Sequence, residues 1–154
     1  KTYNMLQQVS GRAGRSQQTG KVIIQTYYPE QLIIKSLQER DRTSFIQQAL
    51  MEREQFKIPP FGFMTSIIIS GSSKAKVEKI SQKLVYIRKY SDECNVLGPV
   101  EAPINLLKGQ FRYRILLKGK SRKNLNIFTK KMINSVKIPS AVKVIIDVDP
   151  YTFM

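Results

Sequence analysis

Phe111-Arg112-Tyr113-Arg114-Ile115-Leu116-Leu117 is the stretch on which the fold turns. It opens in strict alternation of apolar and basic residues. Successive side chains of a strand leave on opposite faces. Phe111, Tyr113, Ile115 and Leu117 therefore point one way, and Arg112 and Arg114 the other. A strand of this kind has one covered and one open face. Upstream, Val96 to Ile104 reads as extended chain broken by Gly98-Pro99 and Pro103, which places it at a sheet edge because proline cannot donate to a ladder. Phe63 to Ile69 is a further strand. Between these two, Ser72 or Ser73 can cap a helix with the face Val77, Ile80, Leu84 and Ile87. Downstream, Ser121 can cap a helix carrying Leu125, Phe128, Met132 and Val136, and Val142 to Val148 closes the set. The order is βαββαβ, the ferredoxin-like split arrangement of four antiparallel strands with two helices on one face.

Lys57-Ile58-Pro59-Pro60-Phe61-Gly62 marks a boundary, since Pro-Pro cannot continue a helix and glycine follows. Residues 1–57 read as one domain part and 58–154 as another. In the first, Met5, Leu6 and Val9 form a short apolar helix face that stops at Gly11. Val22-Ile23-Ile24 reads as a strand buried on both faces, with Tyr27-Tyr28 packed at its end. Pro29 can open a helix bearing Leu32, Ile33 and Leu37. Asp41 can cap another, with Phe45, Ala49, Leu50 and Phe56 along it. This is the closing segment of a parallel α/β domain, small for independent stability. The fold class is thus α/β followed by α+β.

The sequence has 26 Lys and Arg against 11 Asp and Glu, a net charge of +15. So basic a chain suits a polyanion. The charge is uneven: residues 1–60 carry 9 basic and 5 acidic side chains, and residues 61–154 carry 17 and 6. With no histidine, no Ser-His or Cys-His relay can form within the chain. Cys94 alone makes neither a disulfide nor a zinc site and fits a reducing cytoplasm. No apolar run reaches the ~20 residues that span a bilayer, so no membrane partner is expected. The text starts at Lys1 inside a helical pattern, which reads as a fragment whose partner lobe lies upstream.

Gln8-Val9-Ser10-Gly11-Arg12-Ala13-Gly14-Arg15 carries the chemistry. Its glycines permit close backbone approach, and its arginines can fork onto phosphate oxygens. The pattern Q-x-x-G-R-x-G-R resembles the sixth motif of superfamily 2 helicases. By that resemblance the loop lies on a second RecA-like lobe and faces ATP and Mg2+ held by the first. Gln8, Gly11 and Gly14 would place the loop and the nucleotide. Arg12 would contact the γ-phosphate region, and Arg15 would be the arginine finger that stabilises the transferring phosphoryl group.

The series Gly20-Lys21 to Tyr27, Pro29-Glu30, Arg53, Pro59-Pro60-Phe61, Gly98-Pro99 to Ile104, Gly109 to Arg114 and Asp147-Val148-Asp149-Pro150 is similar to the primosomal protein N′ family over nearly the whole chain. Val100 and Glu101 depart from a family pattern closer to Gly-Pro-Ala-Pro-Ala-Pro. The resemblance implies a 3′-to-5′ DNA helicase of replication restart and primosome assembly, with forked or branched DNA, single-strand-binding protein and other primosome proteins as partners. It also implies a zinc-binding cysteine segment upstream. The chain has no G-x-x-x-x-G-K-[ST] loop; Gly119-Lys120-Ser121 mimics its end, but Arg114 stands where the leading glycine would be. The piece alone is expected to turn over no ATP.

From Ala102 to Ile146 there are eleven basic residues and no acidic one. Lys108, Arg112, Arg114, Lys118 and Lys120 are the candidate phosphate contacts, positioning DNA without reading sequence. Tyr113 and Phe111 could stack on bases, although their alternation favours the core. Asp147 and Asp149 suggest a strand-end turn rather than a metal pair. Lys76, Lys79 and Lys83 form a solvated helix face. The rival reading is a non-enzymatic ferredoxin-like nucleic-acid-binding module in which the Gly-Arg loop is fortuitous.

Overall fold

The structure, a computed structural model, describes residues 2–13, 21–86 and 94–150. Residue contacts divide the chain into two compact units, 1–52 and 53–154.

In unit 1, helix α1 (Thr2–Ser10) buries Tyr3, whose ring stacks on Phe45 at 4.6 Å. Helix α2 (Leu32–Glu39) buries Ile34 and Ser36 and ends where Arg40 turns left-handed, donating its N–H to the Ser36 carbonyl. Asp41 starts helix α3 (Arg42–Gln55) as expected: its carboxylate accepts the Ser44 N–H at 3.0 Å and its carbonyl the Phe45 N–H. Those contacts hold the Asp41 carboxyl below its ordinary pKa, the Ser44 hydroxyl contributing most.

Five expectations for this unit fail. Residues 21–26 form no strand, and Ile23 is 82% exposed. A strand buried on both faces needs a neighbour on each side, and among the described residues of unit 1 there is no other strand. Tyr27 and Tyr28 accordingly pack against no strand end; Tyr27 is 97% exposed. Pro29 lies in a turn three residues ahead of α2 rather than in its first turn. Met5 and Val9 are exposed, so Tyr3 rather than the Met5–Leu6–Val9 face is the buried part of α1. Helix α3 buries no residue, and Phe56 lies beyond its end.

Unit 2 follows the pattern read from the sequence far more closely. Its elements are β1 (Phe63–Gly71), α4 (Lys74–Tyr86), β2 (Cys94–Leu107), β3 (Gln110–Gly119), α5 (Arg122–Asn134) and β4 (Val142–Val148). The sheet order is β2-β3-β1-β4, every pairing antiparallel. In this split βαβ order each helix carries the chain across one intervening strand, α4 from β1 past β3 to β2 and α5 from β3 past β1 to β4.

Ser73 accepts the Lys76 N–H at the start of α4, and Ser121 the Asn124 N–H at the start of α5. Val77, Ile80 and Leu84 of α4 are buried, with Leu125, Phe128 and Met132 of α5; Ile87 lies outside the described residues. These side chains meet Ile67 and Ile69 of β1 and Tyr113, Ile115 and Leu117 of β3 in one core. Cys94 is buried there as an ordinary apolar residue.

Two devices fix the strand ends. Lys108 and Gly109, both at positive φ (50° and 72°), make the two-residue hairpin turn between β2 and β3. Asp149, at φ 49°, accepts the Met64 N–H and donates its own N–H to the Met64 carbonyl. Its carboxylate also pairs with Arg122 at 2.5 Å, and the Arg122 guanidinium lies 5.1 Å over the Phe63 ring. Asp149 is thus the strand-end turn expected of it, tying β4, β1 and α5 together.

The covered and open faces make a direct prediction. Ile115, fully buried, and Ile145, 42% exposed, lie on opposite faces of the sheet. Ile115→Ala should cost about 2–5 kcal/mol through lost transfer energy and a cavity. Ile145→Ala should cost under about 1 kcal/mol. Urea unfolding followed by circular dichroism measures both.

Candidate nucleic-acid interface and glycine–arginine loop

Helix α1 ends because Gly11 follows Ser10, whose hydroxyl already bonds the Leu6 carbonyl at 2.8 Å. The chain then turns: the N–H groups of Gly11, Arg12 and Ala13 reach the carbonyls of Gln7, Val9 and Ser10. Gln8, Gly11 and Arg12 are all exposed, and Arg12 makes no ion pair among the described residues. Gly14 and Arg15 lie outside the described residues. An added Cβ on Gly11 would sit 3.3 Å from the Gln7 carbonyl, so glycine eases a tight turn there.

In unit 2, residues opposite one another across a ladder share a face. Arg112 stands opposite Ser70, and Ser70 opposite Lys143. One row across three strands is therefore Arg112–Ser70–Lys143. The next is Val100–Arg114–Ile68–Ile145, then Leu97–Leu116–Ser66–Asp147, and Lys118 stands between Asn95 and Met64. Helices α4 and α5 pack on the other face; on this one Met64 and Ser66 are buried and Ile145 is exposed. Arg112 and Arg114 lie on it as expected, and Lys118, still within β3 rather than in the turn beyond it, joins them; each is half-buried.

Lys108 and Lys120 are exposed at opposite ends of β3. The five cations thus line the whole strand instead of forming a single cluster. The ammonium of Lys118 donates to the Phe56 carbonyl at 2.6 Å. Lys143 completes the Arg112 row but was not singled out from sequence. The signal was there: Val142-Lys143-Val144 continues the alternation of β4.

Tyr113 is buried and is no stacking platform. Its hydroxyl donates to the Glu101 carboxylate at 3.3 Å, and Lys74 of α4 pairs with the same carboxylate at 2.6 Å. The Asn105 amide adds a bond at 3.0 Å. Lys74 and then Asn105 hold the Glu101 carboxyl below the usual carboxylate range, while burial pushes the Tyr113 phenol up. Glu101, one of the two positions that depart from the family pattern, fastens β2 to β3 and α4 at this point.

The architecture defines a mixed α/β chain whose second unit is built on a four-stranded antiparallel sheet. Residues 54–151 match the family described as the primosomal protein N C-terminal domain, and the chain belongs to that family. It is 37% identical over 153 residues to a replication restart protein PriA of Rickettsia typhi, covering 99% of this chain and 24% of the relative. It is 32% identical over 159 residues to a protein of the same name from Bacillus subtilis, covering 100% of this chain and 20% of the relative. The chain spans about a quarter or less of the length of these relatives.

The Glu101 cluster has a testable pH dependence. Its folded pKa is depressed, so its stabilising effect is complete above the ordinary carboxylate pKa of ~4.3 and is lost as pH falls through the folded value. The melting temperature of Glu101→Gln should lie below wild type near neutral pH. The difference should shrink toward zero below about pH 4. A constant difference from pH 7 to pH 3 would show that the ion pair contributes nothing.

Proposed function

We propose that this chain is the C-terminal part of an ATP-dependent 3′-to-5′ DNA helicase acting in replication restart and primosome assembly. Residues 1–57 would complete a second RecA-like lobe, and 58–154 a DNA-contacting domain. The observation that carries the reading is the family match over residues 54–151, in a chain whose alignment with PriA relatives also takes in the Gln8–Arg15 loop. The exposure of Val22, Ile23 and Ile24 supports the lobe assignment, because these residues suit a strand whose neighbours another part of the protein supplies.

In this reading Arg12 reaches the γ-phosphate region and Arg15 supplies the arginine finger. Gln8, Gly11 and Gly14 shape the loop around a nucleotide whose Mg2+ and phosphates the other lobe binds. The positive charge of Arg15 would meet the negative charge that develops on the transferring phosphoryl oxygens. The chain alone, without a phosphate-binding glycine loop, would turn over no ATP. Zinc would be held by cysteines elsewhere in the protein, whose site of action is the cytoplasm.

On the second unit, Lys108, Arg112, Arg114, Lys118 and Lys120 would contact DNA phosphates. Contacts of this kind are indifferent to sequence, which suits an enzyme acting at forks wherever they stall. Single-strand-binding protein and other primosome proteins are the proposed partners.

In the full-length protein, Arg15→Ala should lower ATP turnover by about 10³-fold or more and leave DNA affinity unchanged. Unimpaired turnover would overturn the finger assignment. In the 154-residue chain, Arg112→Glu with Arg114→Glu should weaken duplex binding and flatten its dependence on salt. The log–log slope should fall by about 2, near one unit per lost phosphate contact. An unchanged slope would remove the open sheet face from the DNA surface.

A further inference from the structure

A cleft of about 520 Å³ opens in unit 2 beside the end of β3, within the range of about 300–1,000 Å³ usual for small-ligand sites. Phe56 and Phe61 line it, with Lys57, Asn95, Lys118 and Lys120. Among the described residues no carboxylate lines it. The two rings are 61% and 45% exposed, an unfavourable placement for phenylalanine unless something covers it.

The walls are set in advance. The Lys118 ammonium holds the Phe56 carbonyl, and the Arg53 guanidinium holds the Pro59 carbonyl at 2.7 Å. Ile58 donates to the Arg53 carbonyl and Phe61 to the Ile58 carbonyl, both at 3.0 Å. The segment folds back so closely that a Cβ on Gly62 would come within 2.3 Å of the Lys57 carbonyl oxygen. Lys57 itself stands at φ 48°. Two aromatic faces are thus presented without the loss of entropy that ordering them on binding would bring.

We propose that this cleft takes one unpaired base of a single nucleic-acid strand, stacked on Phe56 or Phe61, with the flanking phosphates on Lys57, Lys118 and Lys120. The proposal deepens, and rests on, the reading of unit 2 as a DNA-contacting domain. An aromatic face binds any base, and a cationic rim tracks the backbone on either side. Lys118 gives one of its three protons to the Phe56 carbonyl and keeps two for a phosphate. Asn95 can bond a base edge. A duplex keeps its bases stacked inside, so only an unstacked base can enter. The open sheet face and this cleft then differ in kind: the first meets phosphates of either form, the second requires a single strand.

The test uses the whole 154-residue chain and a fluorescent oligothymidylate, an abasic strand of equal length, a duplex and free thymidine monophosphate. Wild type should prefer the thymidylate strand to the abasic strand. Phe56→Leu with Phe61→Leu should lose roughly 5- to 100-fold in affinity for the thymidylate strand, keep its salt slope and leave duplex binding unchanged. Phe56→Tyr with Phe61→Tyr should restore the affinity, which separates a lost stacking face from a misfolded domain.

Equal binding of the thymidylate and abasic strands would overturn the proposal. So would a Leu pair that binds like wild type, or free monophosphate bound as tightly as the strand. If those results came while wild type still bound duplex in a salt-dependent way, the DNA-contacting reading would stand and the cleft alone would fall. Wild type binding neither strand nor duplex would end both.

Discussion

Everything in the second unit depends on the period-two alternation of β3. This strand pairs with β1 on one side and β2 on the other. Its odd residues, Tyr113, Ile115 and Leu117, are buried against α4 and α5, and its even residues, Arg112, Arg114 and Lys118, lie half-buried on the opposite face. A slip of one residue would exchange the two sets. Ile115 and Leu117 would meet water, and two guanidinium groups would enter the core, where an uncompensated charge costs several kcal/mol. The register that makes the core is therefore the register that displays the cations. Hydrophobic burial and the candidate binding surface are one constraint seen from its two sides.

The flanking strands show how that register is protected. The edge strand β2 contains Gly98-Pro99 and Pro103 and slips register twice against β3, between Leu97 and Val100 and between Glu101 and Leu106. Gly98 has φ 100°, and a Cβ there would come within 2.8 Å of the Arg114 carbonyl, so only glycine fits. An edge so interrupted is a poor template for pairing with another chain. The Lys74–Glu101–Tyr113 contacts then hold the irregular strand to its neighbours. At the far edge, the double bond between Asp149 and Met64 keeps β4 aligned with β1. The first acts within β2 and β3, the second at the end of β4.

The second unit was legible because it contains its own partners. Alternation in Phe111–Leu117, the serine caps at Ser73 and Ser121 and the apolar stripes of α4 and α5 each point to the same core, and all its components lie within residues 63–148. The first unit was less so for the same physical reason. Val22-Ile23-Ile24 has the composition of a buried strand, but composition states what a segment would bury, not whether anything is present to cover it. Tyr27, Met5 and Val9 are exposed as well. Short-range signals survived there: Asp41 caps α3 as its local chemistry requires, with no need of distant contacts. The glycine–arginine loop reads as a motif, and among its described residues Gln8, Gly11 and Arg12 are exposed. Phe56 was assigned to a helix face because its spacing fits one; the turn that removes it depends on Lys57 and Gly62, whose joint geometry no periodicity encodes.

The spread of charge along β3 also sets the scale of any partner. The strand runs from Gln110 to Gly119, and at about 3.3 Å per residue its ends lie roughly 30 Å apart. At physiological ionic strength charges are screened beyond about 8 Å. Lys108 at one end and Lys120 at the other therefore cannot act on a small anion together. Each is a separate local contact, and only a ligand with charges repeated along a comparable length engages both. A DNA strand repeats its phosphates about every 3.4 Å along the duplex axis, so about nine steps match the strand. Between the two ends the face is partly apolar, with Ile68, Leu116, Val100 and Ile145 around Arg114. Apolar and cationic side chains thus alternate across the face between its two charged ends. Length and spacing of charge, more than its total, decide which polyanion such a face would fit.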